Sequence, residues 1–191
     1  MLVPWRSPSH VPRDAGFTVL ELLLVMVISV TMLSLSLGGF SSALDTVRGD
    51  ASMNKVQWQL KLARETAINQ RRAVEIRFTP PNFLSVVRRN IPNGETVVST
   101  AVLEHMTSFL VFPAFPDTPD GFGNALAVDF GAATAVMFNS EGQLVDETGA
   151  ILNGTVFIGR VGAPMTARAL TVFGPTSAIR TWRWNGSEWR D

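Results

Sequence analysis

The chain has no cysteine and no tyrosine, and only two histidines, His10 and His105. Without thiols it has no disulfide framework and no thiolate metal site, and cysteine usage says nothing about its compartment. One of the two histidines lies in the first sixteen residues, so a domain further along has neither a histidine triad nor a histidine metal site. A glycine-rich phosphate loop is also missing. These absences argue against an enzyme, and no cofactor or metal is expected. Sixteen Lys and Arg balance sixteen Asp and Glu over 191 residues, so no net field draws the chain to nucleic acid or to acidic partners. Any such preference must come from a local patch. The length suits one domain with a real core plus an anchoring segment.

What the chain does have is apolar and unevenly placed. Residues 22–44 are 23 consecutive positions without a charge. The stretch 22–37 is nearly all apolar, enough for a helix that crosses a membrane, which needs ~20 such residues. The polar stretch before it, residues 1–16, carries Arg6 and Arg13 against Asp14 and three prolines, and would stay on the cytoplasmic side. A cleaved secretory signal has a shorter apolar core and a small-residue cut site; a plain signal anchor fits the length. Glu21 separates these readings. A carboxylate costs ~2.5 to 3.5 kcal/mol at the centre of a membrane helix and less near an end, so one at the head of the run points to a partner. A cut between Gly16 and Phe17 would create an α-amine able to neutralise the Glu21 of a neighbouring chain.

The residues Gly16-Phe17-Thr18-Val19-Leu20-Glu21-Leu22 resemble the cleavage motif of type IV prepilins and type II secretion pseudopilins. The resemblance implies cleavage by prepilin peptidase after Gly16, N-methylation of Phe17, and a role for Glu21 in assembly. It also implies other minor and major pseudopilins or pilins as partners, in the bacterial inner membrane with the globular domain periplasmic. Gly38-Gly39 stands where major pilins usually carry proline, and minor subunits often lack that proline. The segment 56–78, with Val136-Met137-Phe138-Asn139-Ser140-Glu141-Gly142 and the last strand, resembles the H-type pseudopilins and the FimT/FimU-like minor pilins.

Val56, Leu60, Ala63 and Ala67 repeat at spacings of 4, 3 and 4, which predicts an amphipathic helix over 45–72. A break at Gly38-Gly39 or at Gly49 stays open. From residue 73 short apolar runs alternate with turn residues. They predict strands over 73–79, 83–89, 96–103, 108–112, 134–138, 156–159 and 170–173. The expected class is α+β: a long N-terminal helix, membrane-spanning over 17–44 and then amphipathic over 45–72, packed on antiparallel sheets over 73–191.

Two further segments draw attention. Asp117, Asp120 and Asn124 put oxygen atoms on a Pro/Gly-rich turn, the ligand type calcium favours; the spacing fits no complete loop pattern, and such a stretch is commonly a solvated turn. At the C-terminus, Asn185-Gly186 predicts a two-residue hairpin pairing Trp184 with Ser187, Arg183 with Glu188 and Trp182 with Trp189. Trp182, Trp184 and Trp189 then share a face that either completes the domain's core or contacts a neighbouring subunit. Arg180, Arg183 and Arg190 beside the rings could also hold DNA by charge and stacking, although Glu188 and Asp191 dilute them. The leading reading is a minor pseudopilin that initiates or caps a periplasmic pseudopilus. The alternative is a minor pilin for adhesion, motility or DNA uptake, and a third class is an anchored periplasmic binding module that never polymerises.

Overall fold

The computed structural model describes residues 16–103 and 106–191; of residues 36–42 it describes the backbone alone. Residues 1–15 of the expected leader, with His10, and likewise His105, lie outside the described residues. The chain forms two compact units, one ending at Phe40 and the other Ser41–Asp191.

Helix α1 runs Val19–Gln70, through Gly38-Gly39 and Gly49. The helical assignment is unbroken at both glycine positions. In its first part every described residue from Val19 to Leu35 is exposed. The described residues hold no helix long and apolar enough to cross a membrane; the side chains described in the apolar run stop at Leu35 and resume at Ala43.

In the second unit, α1 turns Val56, Leu60, Ala63 and Ala67 into the core, each fully buried, while Trp58 stays exposed on another face. The stripe meets two antiparallel sheets. The first contains β1 (Val74–Thr79), β2 (Phe83–Arg89), β3 (Glu95–Val102), β6 (Val136–Phe138) and β7 (Leu144–Val145), in the order β3-β2-β1-β6-β7. The second contains β4 (Ser108–Phe109), β5 (Val128–Asp129), β8 (Gly154–Arg160), β9 (Ala163–Phe173), β10 (Ala178–Trp184) and β11 (Trp189–Arg190). Its order is β11-β10-β9-β8-β4, with β5 also on β8. Val74, Ile76, Leu84 and Val86 from the first sheet and Val156, Ile158, Leu170 and Val172 from the second join the α1 stripe in one core. The period-two alternation puts these side chains on the inner faces. The architecture is α+β, a helix packed on antiparallel sheets.

The boundaries differ from expectation where polar residues break the apolar pattern. β9 begins at Ala163, seven residues before the predicted start, because its inner face includes Arg168, 1% exposed and ion-paired to Asp50. The chain leaves β4 after Phe109, and Val111 and Phe112 pack on the outside of the second sheet. Strands β5 and β7, two residues each, are too short to show a period.

Candidate functional site

At the N-terminal end, Gly16 and Phe17 are exposed, Phe17 to 77%. Thr18 stands at the N-cap of α1: its hydroxyl oxygen accepts a hydrogen bond from the Glu21 backbone N–H at 3.2 Å, and its carbonyl accepts from the Leu22 N–H at 3.2 Å. Glu21 is the acidic residue of the first turn, where the helix dipole favours negative charge by roughly 0.3–1 kcal/mol. The spacing Thr18-x-x-Glu21 is that of a capping box. That signal was present in the sequence, and it gives Glu21 a local reason to be there besides any partner.

The C-terminal hairpin has a different register from the one predicted. Arg183 pairs with Arg190 and Trp184 with Trp189, so the loop has four residues, 185–188, in place of two. Asn185 is the cause. Its side-chain oxygen accepts from the Ser187 N–H, the Ser187 hydroxyl and the Glu188 N–H, at 2.9, 3.0 and 2.9 Å. This Asx-type capping offers the turn an alternative to the tight hairpin.

The slip moves the pairing by an even number of positions, so the three tryptophans still share a face. They are buried there with Phe157, Ala167 and Ala169 on the outer side of the second sheet, under Val111, Phe112 and Phe115. Phe115 stacks on Trp184 at 4.0 Å between ring centroids, and Trp184 meets Trp189 edge-on at 5.4 Å. The Trp189 indole N–H donates to the Pro116 carbonyl at 2.8 Å, and the Trp182 N–H to the Thr171 hydroxyl at 3.0 Å. The rings hold the domain's own segment 111–116 over the sheet.

The arginines beside them are ion-paired within the chain. Arg180 binds Asp120 at 2.7 Å, Arg183 binds Asp50 at 3.1 Å and Arg190 binds Glu188 at 2.8 Å. In the turn that suggested calcium, Asp117 accepts from the N–H groups of Thr118 and Gly123 at 2.7 and 2.9 Å, and Asp120 accepts from Thr171 as well as Arg180. Among the described residues no three His, Cys, Asp or Glu side chains form a group that could hold a metal ion.

A second electrostatic feature escaped the sequence reading. Asp50 on α1 holds Arg168 at 2.7 Å as well as Arg183, while Asp45 holds Arg160 at 2.9 Å. Arg168 also donates to the carbonyls of Met165, Ala167 and Thr46. Sequence separations above one hundred residues hide such pairs. Gly49 lies among them: a Cβ there would come within 2.6 Å of the Thr166 carbonyl oxygen, so only glycine lets α1 approach β9 this closely.

No protein family description matches the chain, and no curated protein matches it. Among solved structures, the chain is similar to the minor pseudopilin EpsH from the type 2 secretion system of Vibrio cholerae, at 13% identity and a TM-score of 0.49, over 71% of this chain and 97% of that one.

Proposed function

We propose that the chain is a minor pseudopilin of type II protein secretion, H-type, which helps initiate or cap a short periplasmic pseudopilus. The observation that carries this is the segment from Gly16 to Glu21 joined to an uncharged run of 23 residues. In this reading residues 1–16 are a leader removed by prepilin peptidase, and Phe17 becomes the N-methylated first residue. Residues 17–44 anchor the chain in the inner membrane and later pack among neighbouring subunits. The exposed apolar residues of the described part of α1, Leu20 to Leu35, support it: 46–83% exposed on every side, they need lipid or other helices around them.

Glu21 would then offset its desolvation by pairing with the terminal amine of a neighbour. Its local role at the helix start has to be separated from this. Glu21→Gln keeps a side chain of the same shape and removes the charge, whereas Glu21→Asp keeps the charge. The expectation is that Glu21→Ala and Glu21→Gln are processed normally but incorporate poorly into filaments, with Glu21→Asp milder. Normal incorporation of Glu21→Gln would remove the charge from the mechanism. The internal ion pairs of Arg180, Arg183 and Arg190 give no support to a DNA role for the hairpin.

A further inference from the structure

Most described arginines of the second unit are matched by a carboxylate, and three that are not follow one another around the end of α1 and strand β2. Of the twelve described arginines, eight pair with a carboxylate. Arg64 instead donates to the Gly142 carbonyl at 3.2 Å. The remaining three, Arg71, Arg72 and Arg88, lie where α1 ends and the β2–β3 turn begins. Arg72 and Arg88 line a cleft there with Gln70, Asn90 and Ile91. Arg88 donates only to neutral acceptors: the Gln70 amide oxygen at 2.7 Å, the Asn90 oxygen at 3.1 Å and the Thr96 hydroxyl at 3.4 Å. These contacts orient its guanidinium and leave its charge unanswered.

The nearby end of α1 supplies some negative potential, since the last carbonyls of a helix amount to roughly half an elementary charge. That offsets a fraction of three guanidinium charges. An anionic ligand would answer the rest, and the cleft's chemistry narrows its kind. A guanidinium held in a fixed plane suits a carboxylate, and Gln70, whose oxygen is taken by Arg88, keeps amide N–H groups to donate. Ile91, 74% exposed, adds an apolar contact at the rim. No aromatic ring lines the cleft for a base to stack on, and two lining arginines do not make the stripe that follows a phosphate backbone.

We propose that this cleft between the end of α1 and the β2–β3 turn, built on Arg72 and Arg88 with Arg71 beside it, docks an acidic segment of another protein chain. The segment presents a carboxylate next to an apolar side chain. The proposal uses no residue of the N-terminal motif, so it stands whether or not the chain enters a filament.

The test is fluorescence anisotropy of a labelled alternating Glu-Leu hexapeptide titrated with the full-length chain in detergent micelles, at low and at high salt. An alternating Gln-Leu peptide and a short DNA duplex are run beside it. The acidic peptide should bind saturably and weaken with salt, and the Gln-Leu peptide should not bind. Arg72→Gln, whose side chain has no partner to lose, should weaken binding by about tenfold, on the scale of one charge-assisted pair, with an unchanged thermal midpoint. Arg190→Gln, at an exposed pair in the hairpin, should leave binding as it was. Equal binding of the Gln-Leu peptide, full binding by Arg72→Gln, no binding of the acidic peptide, or tighter binding of the duplex would each overturn the proposal.

Discussion

Substituting Gly49 by alanine sets two effects of opposite sign against each other. Helix propensity favours alanine over glycine by about 1 kcal/mol, so at a solvent-facing site Gly49→Ala would stabilise. Here the added Cβ would lie 2.6 Å from the Thr166 carbonyl oxygen and 3.1 Å from the Arg168 guanidinium carbon. Reaching an ordinary contact of 3.4 Å requires α1 to withdraw from β9 by about 0.8 Å. Thr166 cannot give way easily, because its hydroxyl bonds both the Ala163 carbonyl and the Arg160 N–H. Withdrawal also stretches the bonds from Arg168 to Asp50 and to the Thr46 carbonyl, 2.7 and 3.0 Å long. Overpacking of this kind costs about 1–3 kcal/mol, and the strained arginine contacts add to it. A net loss of about 1–2 kcal/mol is therefore expected. Thermal unfolding followed by the tryptophan circular dichroism of the full chain should show a midpoint lower by about 2–8 °C. A midpoint raised by a few degrees would refute the close approach and return Gly49 to the status of an ordinary helix glycine.

Three further outcomes follow from the packing and the ion pairs. Trp182→Ala removes a buried ring and its bond to Thr171, and should cost about 3–5 kcal/mol, read as a large fall in the thermal midpoint; an unmoved midpoint would instead favour a contact surface for another subunit. Asp50→Asn leaves Arg168, 1% exposed, without its carboxylate. It should destabilise by roughly 3 kcal/mol, the lower end for a broken buried pair since Asp50 is partly exposed, whereas Arg168→Met should be milder, and equal losses would show that packing and not charge matters there. The Arg77 guanidinium, followed by that of Arg89, holds the Glu75 carboxyl below the usual glutamate value against the opposing effect of burial. Its contribution is complete above the unfolded value of ~4.3 and is lost as pH falls through the lower native value, so Glu75→Gln should flatten the decline of the midpoint between pH ~5 and ~2; an unchanged decline would assign acid sensitivity elsewhere.

Legibility in the sequence followed the distance over which each interaction acts. The α1 stripe of Val56, Leu60, Ala63 and Ala67 repeats within one helix, and β2, bounded by Pro81 and Asn90, was read to the residue. The face shared by Trp182, Trp184 and Trp189 was legible because alternation along a strand is local. The hairpin register was not, since three hydrogen bonds to one side-chain oxygen of Asn185 outweighed the Asn-Gly turn preference. The sequence pattern shortens β9 because Arg168 interrupts its apolar run, and the carboxylate that makes a buried arginine tolerable, Asp50, is more than a hundred positions away. The need for Gly49 was equally hidden, for it is set by a backbone oxygen on another element. The unmatched arginines at the end of α1 became visible only once the partners of the other eight were known.

Processing as a prepilin is read out by the intact mass of the protein purified from the membrane fraction of its native host. The expected species begins at Phe17 and carries one added methyl group, and replacing Gly16 by a bulky residue should leave residues 1–16 attached. A chain beginning at Met1, or one cut near Ala43, would contradict it.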